Sequence, residues 1–136
     1  MDFFRFRVAF ATDDGKNLID RHFGDANFYE IYDFTEDGFT HLKRIENTTK
    51  DSIEREDRKH GDPEKAKKII DLLGKEGVDF LVSRRFGPNI TRVIEVFTAV
   101  VVREKKIEDV LRKFEENEIM KKLSMAKGEN KRILHL

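Results

Sequence analysis

RFRVAFAT, residues 5–12, followed at once by Asp13-Asp14-Gly15, is the stretch from which the fold can be read. Its apolar and small residues alternate and then close up, as in a strand buried on both faces, and the Asp-Asp-Gly stops it with turn chemistry. Working outward, Lys16–Asp25 reads as a loop containing Arg21-His22-Phe23-Gly24. Asn27–Phe34 (NFYEIYDF) and Phe39–Glu46 (FTHLKRIE) read as two further strands. They are joined by a hairpin turn at Thr35-Glu36-Asp37-Gly38, where Gly38 can take a positive φ. Beyond the mostly polar segment Asn47–Asp62, Asp62-Pro63 opens a helix with Ala66, Ile69, Ile70 and Leu73 on one face. Val78–Ser83 reads as a buried strand, Gly87-Pro88 as the start of a second helix through Glu95, and Phe97–Val102 as a last buried strand. Glu104–Glu118 reads as a third helix, able to continue through Met120 and Leu123, and Ser124–Leu136 as a fraying end.

The order β-β-β-α-β-α-β-α predicts an α/β fold, a three-layer α/β/α sandwich around a mixed five-stranded sheet. Right-handed crossovers leave strand order 3-2-1-4-5 with the first strand central. Ligands in such sheets sit beyond the carboxyl ends of the strands where the winding reverses. That point lies between the first and fourth strands, so the loops to watch are Asp13–Asp25 and Ser83–Asn89. Residues 1–118 are expected to form one domain, and 119–136 a helical extension or flexible tail.

Composition narrows the chemistry. The 136 residues carry 27 Lys+Arg and 27 Asp+Glu, and this zero net charge argues against a dedicated nucleic-acid binder. There is no cysteine, so thiolate nucleophiles, thiolate zinc sites and cysteine-held iron–sulfur clusters are excluded. No apolar run is long enough to span a membrane and the first residues lack a signal-peptide pattern, so a cytoplasmic protein is expected. Abundant Lys, Arg and Glu without Cys or Gln point to a heat-adapted source.

His22, beside a glycine and near Asp13 and Asp14, can ligate a transition metal with a carboxylate orienting its other nitrogen; it could equally fix the loop through backbone hydrogen bonds. Phe23 reads as a core plug beneath it. Gly87-Pro88-Asn89 at a helix start, with Arg84 and Arg85 close by, suits an anion, either an anionic cluster or a phosphate. The two arginines could also be merely solvated. His60 could fold over the site or belong to the surface; His41 and His135 are poor ligand candidates. Asp13, Asp14, Asp33 and Asp79 do not form the carboxylate cluster a metal-dependent nuclease needs.

VAFATDDG (8–15), RHFGDANFYEIYDF (21–34) and HGDPEKAKKIIDLLGKEGVDFLVSRRFGPNI (60–90), in this order and spacing, resemble the dinitrogenase iron–molybdenum cofactor biosynthesis family over about residues 5–118. The His22-Phe23-Gly24 and Gly87-Pro88-Asn89 triplets carry most of the resemblance. It implies a ribonuclease-H-like fold and a histidine, His22, that helps hold a metal cluster. Phe23, Gly24, Gly87 and Asn89 of the two triplets are expected beside it in the cofactor site, and the residue reading adds Arg84 and Arg85 from the edge of the fourth strand. Ser83-Arg84-Arg85-Phe86-Gly87 is bulkier and more basic than the small, neutral run usual there, which argues against a wide pocket and an identical ligand. The function expected is therefore a non-enzymatic nitrogenase-accessory-like protein that holds or transfers an iron–sulfur or iron–molybdenum-type cluster, with a cluster donor or acceptor protein as partner. The alternative is an interaction or regulatory module that has kept the fold without a cofactor.

Overall fold

The computed structural model describes residues 5–49, 63–127 and 133–136. The first strand, β1 (Phe6–Thr12), is buried on both faces. Val8 and Phe10 enter one core and Ala9 and Ala11 the other. It pairs antiparallel with β2 (Phe28–Thr35), from Phe6 opposite Phe34 to Thr12 opposite Phe28. On its other side it pairs parallel with β4 (Phe80–Ser83). The hairpin partner β3 (Gly38–Glu46) lies outside β2, and Gly38 turns the corner at φ 117°. β5 (Thr98–Val101) runs parallel to β4.

Helices cover both faces, giving the three layers expected. Helix α1 (Pro63–Gly74) presses Ala66, Ile69 and Leu73 toward the sheet. With Phe23, Tyr29, Val93 and Phe97 its Ile69 and Leu73 build one core. On the opposite face α3 (Ile107–Phe114) and α4 (Asn117–Ala126) bring Val110, Phe114 and Leu123 against Phe10 and Phe34.

The structure differs from the expected elements in four places. The sheet has six strands, in order β3-β2-β1-β4-β5-β6. The sixth, β6 (Ile133–His135), pairs parallel with β5, where Leu136 N–H donates to Val101 O at 3.0 Å. Three residues are too few to show a period, so main-chain pairing at an open edge decided this strand. Second, the last long helix is broken: Glu116 is extended at φ −65°, ψ 134°. The apolar phase set by Ile107, Val110, Leu111 and Phe114 would next demand residues 118, 121 and 122, which are Glu, Lys and Lys. The break re-phases the chain so that Leu123 and Ala126 are buried instead. Third, α2 is a single turn, Ile90–Val93. Fourth, β4 begins two residues later than Val78. The proposed cap Asp62, His60 and most of the polar segment before α1 lie outside the described residues.

The amino end of β1 is tied by charge. Arg7 Nε and Nη2 donate to Asp33 Oδ1 and Oδ2 at 2.7 and 3.1 Å, Arg5 Nη2 reaches Asp33 Oδ2 at 3.3 Å, and Arg7 N–H donates to Asp79 Oδ2 at 2.8 Å. The Arg7 hydrogen bond holds the Asp33 carboxyl below the usual carboxylate range. A carboxyl lowered by folding stabilises fully above its unfolded value, about 3.9, and that contribution is lost as pH falls through the lower folded value. Asp33→Asn is therefore expected to lower the urea midpoint at neutral pH. Its deficit against wild type is expected to narrow as the pH is taken toward about 3, and a deficit that stays constant with pH would contradict this.

Candidate functional site

Three loops meet at the carboxyl edge of the sheet. The first leaves β1 through a braced turn: Gly15 N–H donates to Thr12 Oγ1 at 2.9 Å, and Thr12 Oγ1 donates to Asn17 O at 2.6 Å. Asp14 Oδ1 accepts from the N–H groups of Lys16 and Asn17, both at 2.8 Å. Those backbone bonds, that from Asn17 foremost, hold the Asp14 carboxyl far below its usual range. Leu18 N–H donates to Lys105 O and Ile107 N–H to Lys16 O, which stitches this loop to the one after β5. Asp13 binds Arg21 Nη1 at 2.9 Å through one oxygen and accepts Asn27 N–H at 2.9 Å through the other. Both acidic residues thus brace the loop. Neither orients His22, contrary to the expected carboxylate–histidine arrangement.

The loop then crosses to the segment after β4. His22 forms a parallel bridge with Arg85, and Phe23 N–H donates to Arg85 O at 3.0 Å. Phe23 is 3% exposed. Its ring lies between Tyr29 (centroids 4.7 Å apart) and Phe86 (5.3 Å), both stacked. It therefore anchors the loop as a core plug, and its buried ring faces Tyr29 and Phe86. Gly24 packs closely on α1: a Cβ there would lie 3.0 Å from the tip of Ile69, Cδ1.

His22 itself is exposed, and its side chain makes no hydrogen bond or ion pair among the described residues. Gly87 lies directly behind the imidazole. A Cβ at that position would fall 2.7 Å from His22 Nδ1 and 3.0 Å from its Cγ. The sequence placed His22 and Gly87 in separate loops; the fold puts them in contact. Arg84 Nη1 and Arg85 Nε approach one oxygen of Asp20, at 3.5 and 3.3 Å, so both arginines do face the first loop. Asn89 precedes α2, but four helical residues with no side-chain cap carry no useful dipole, so the expected anion site at a helix start is not formed. The Asn89 Oδ1 and the Ser83 Oγ are buried without a hydrogen-bond partner among the described residues. His41 is exposed on β3, edge-on to Tyr32, and His135 lies on β6.

Two residues at this edge carried no readable signal. Asn47, 4% exposed, donates from Nδ2 to Gly24 O (2.9 Å), Ala26 O (2.8 Å) and Tyr29 Oη (3.2 Å), and its Oδ1 accepts from Thr49 N–H and Oγ1. It clamps the one-turn 3-10 helix Phe23–Asp25 to the end of β3. Asp20 is the other. Among the described residues no three His, Asp or Glu side chains gather to hold a metal ion, and no helix is long and apolar enough to cross a membrane.

A small α/β domain thus brings a histidine and two arginines together where the loops after the first and fourth strands meet. The chain belongs to the dinitrogenase iron–molybdenum cofactor family, whose sequence model matches residues 5–117. A crystal structure from Methanocaldococcus jannaschii, described as a "putative dinitrogenase", has the same fold with a TM-score of 0.57 and 18% identity, over 84% of this chain and 91% of that one. No curated protein sequence matches the chain.

Proposed function

We propose that this chain is a small non-enzymatic carrier that holds or passes on an iron–sulfur or iron–molybdenum-type cluster at the loops after β1 and β4. The observation that carries the reading is the state of His22: exposed, without a hydrogen-bond partner among the described residues, and backed by a residue lacking a Cβ. A neutral imidazole so placed offers a lone pair to a transition metal. The donor set fits a cluster that arrives already built. One imidazole and two guanidinium groups can hold an anionic, preassembled cargo, whereas a chain without cysteine supplies no thiolates to assemble one from ions. On this reading such cargo comes from a donor protein and leaves to an acceptor, and the carrier works beside them in the cytoplasm.

The test is anaerobic reconstitution with a cluster source, read by electronic absorption. Wild type is expected to acquire the bands of bound cluster, and His22→Ala to retain about tenfold less or lower still. A second reading, an interaction or regulatory module without cofactor, is favoured by Phe86, whose ring stacks on Phe23 between the two loops. It requires wild type and His22→Ala to give equal spectra, and a protein partner to be recovered by pull-down.

A further inference from the structure

Arg84 is a charged group in an unusual condition. Its side chain is 24% exposed, yet among the described residues neither its guanidinium nor that of Arg85 donates a hydrogen bond. Their common neighbour is one oxygen of Asp20, at 3.5 and 3.3 Å, without hydrogen-bond geometry. At the other end of β1, by contrast, Arg7 closes a two-pronged pair on Asp33 at 2.7 and 3.1 Å. Guanidinium forks bind oxyanions best through two parallel N–H···O bonds, and a largely buried cation is costly without them. Asp20 gives neither arginine that geometry, and its own side chain is 61% exposed, free to turn to solvent.

We infer that Arg84 and Arg85 form an oxyanion site in which the Asp20 carboxylate stands as a built-in competitor, displaced when a ligand's carboxylate or phosphate group binds. The inference rests on the carrier reading for its place in the molecule, since Asp20 lies two residues before His22 and the anion would be an arm of the same cargo. The exchange turns a poorly aligned carboxylate out to solvent and seats an anion that can bridge both forks, so hydrogen bonds are gained. Asp20 thereby sets the affinity threshold: a weak, singly bonded anion fails to displace it, and one that bridges both forks succeeds.

Calorimetric titration of the intact chain with inorganic phosphate and, separately, with citrate tests this. Asp20→Asn is expected to bind one or both about tenfold more tightly than wild type, because a like charge within ion-pair distance of the site is removed. Asp20→Ala is expected to do the same, and adding Arg84→Gln to Asp20→Asn to abolish the gain. Asp37→Asn, an equal change of net charge on the remote β2–β3 turn, is expected to match wild type. A gain confined to phosphate or to citrate identifies the source of the oxyanion. Equal or weaker binding by both Asp20 variants, or no heat with either anion in any variant, overturns the inference. The carrier reading stands or falls separately, on cluster uptake: a chain that loads cluster but shows no Asp20 effect refutes only the competitor, and the reverse result refutes only the carrier.

Discussion

Asn47→Ala is expected to lower the unfolding free energy by about 3 kcal/mol, the largest loss of any single polar substitution in the described chain. The cost comes from what is left behind. The carbonyls of Gly24 and Ala26 lose their donor, and the Thr49 N–H loses its acceptor, all at the buried end of β3. Each orphaned group costs about 1 kcal/mol or more, and no rearrangement of a methyl side chain can supply a replacement. Asn47→Asp separates hydrogen bonding from packing. It keeps the shape and the acceptor for Thr49 but turns a carboxylate oxygen toward two carbonyls, so it is expected to be at least as destabilising as alanine. Urea denaturation measures both. A loss under about 1 kcal/mol for either would mean that the clamp is not what holds the Phe23–Asp25 turn.

Gly87→Ala is expected to cost about 2 kcal/mol and to depress cluster loading as strongly as His22→Ala. The reason is steric alone, because Gly87 is not among the glycines with positive φ. The added methyl would lie 2.7 Å from Nδ1, 3.0 Å from Cγ and 3.4 Å from Cβ of His22, so the clash is with the root of the ring and not merely its far edge. The imidazole must swing away or the two loops must part. A double-mutant cycle decides between this and a general intolerance of the loop. With alanine already at position 22, Gly87→Ala is expected to cost less than about 0.5 kcal/mol; an unchanged cost in that background would remove His22 as the reason for the glycine.

The parts of the fold that were legible are those written as periodicity. RFRVAFAT showed a central strand because both of its faces are buried. Pro63 and the Ala66–Ile69–Leu73 spacing showed α1, and the order of elements showed which loops converge. The break between α3 and α4 was missed, since the helix read as able to continue through Leu123, although the charges at 118, 121 and 122 that an unbroken helix would have turned inward carry it. Asn47 was not legible. Its five hydrogen bonds reach four residues, as much as 23 positions away, and a single asparagine after a strand looks like any turn former. At the candidate site the histidine, glycine and arginines were legible as residue types. What was hidden was their pairing: that Gly87 backs His22, that Asp13 and Asp14 are taken up by their own loop, and that Asp20 faces the arginines.

The two ends of β1 differ in how completely their charges are matched, and this divides the molecule's tolerance to change. At the amino end the Arg7 fork is already closed on Asp33, with Arg5 adding a single bond, so charge reversals there register as lost fold and leave recognition alone. At the carboxyl end the forks of Arg84 and Arg85 stand half open, so the same kind of reversal leaves the scaffold intact and redraws what the protein can hold. One strand thus joins a frozen pole to an adjustable one, and the second can diverge without unsettling the first.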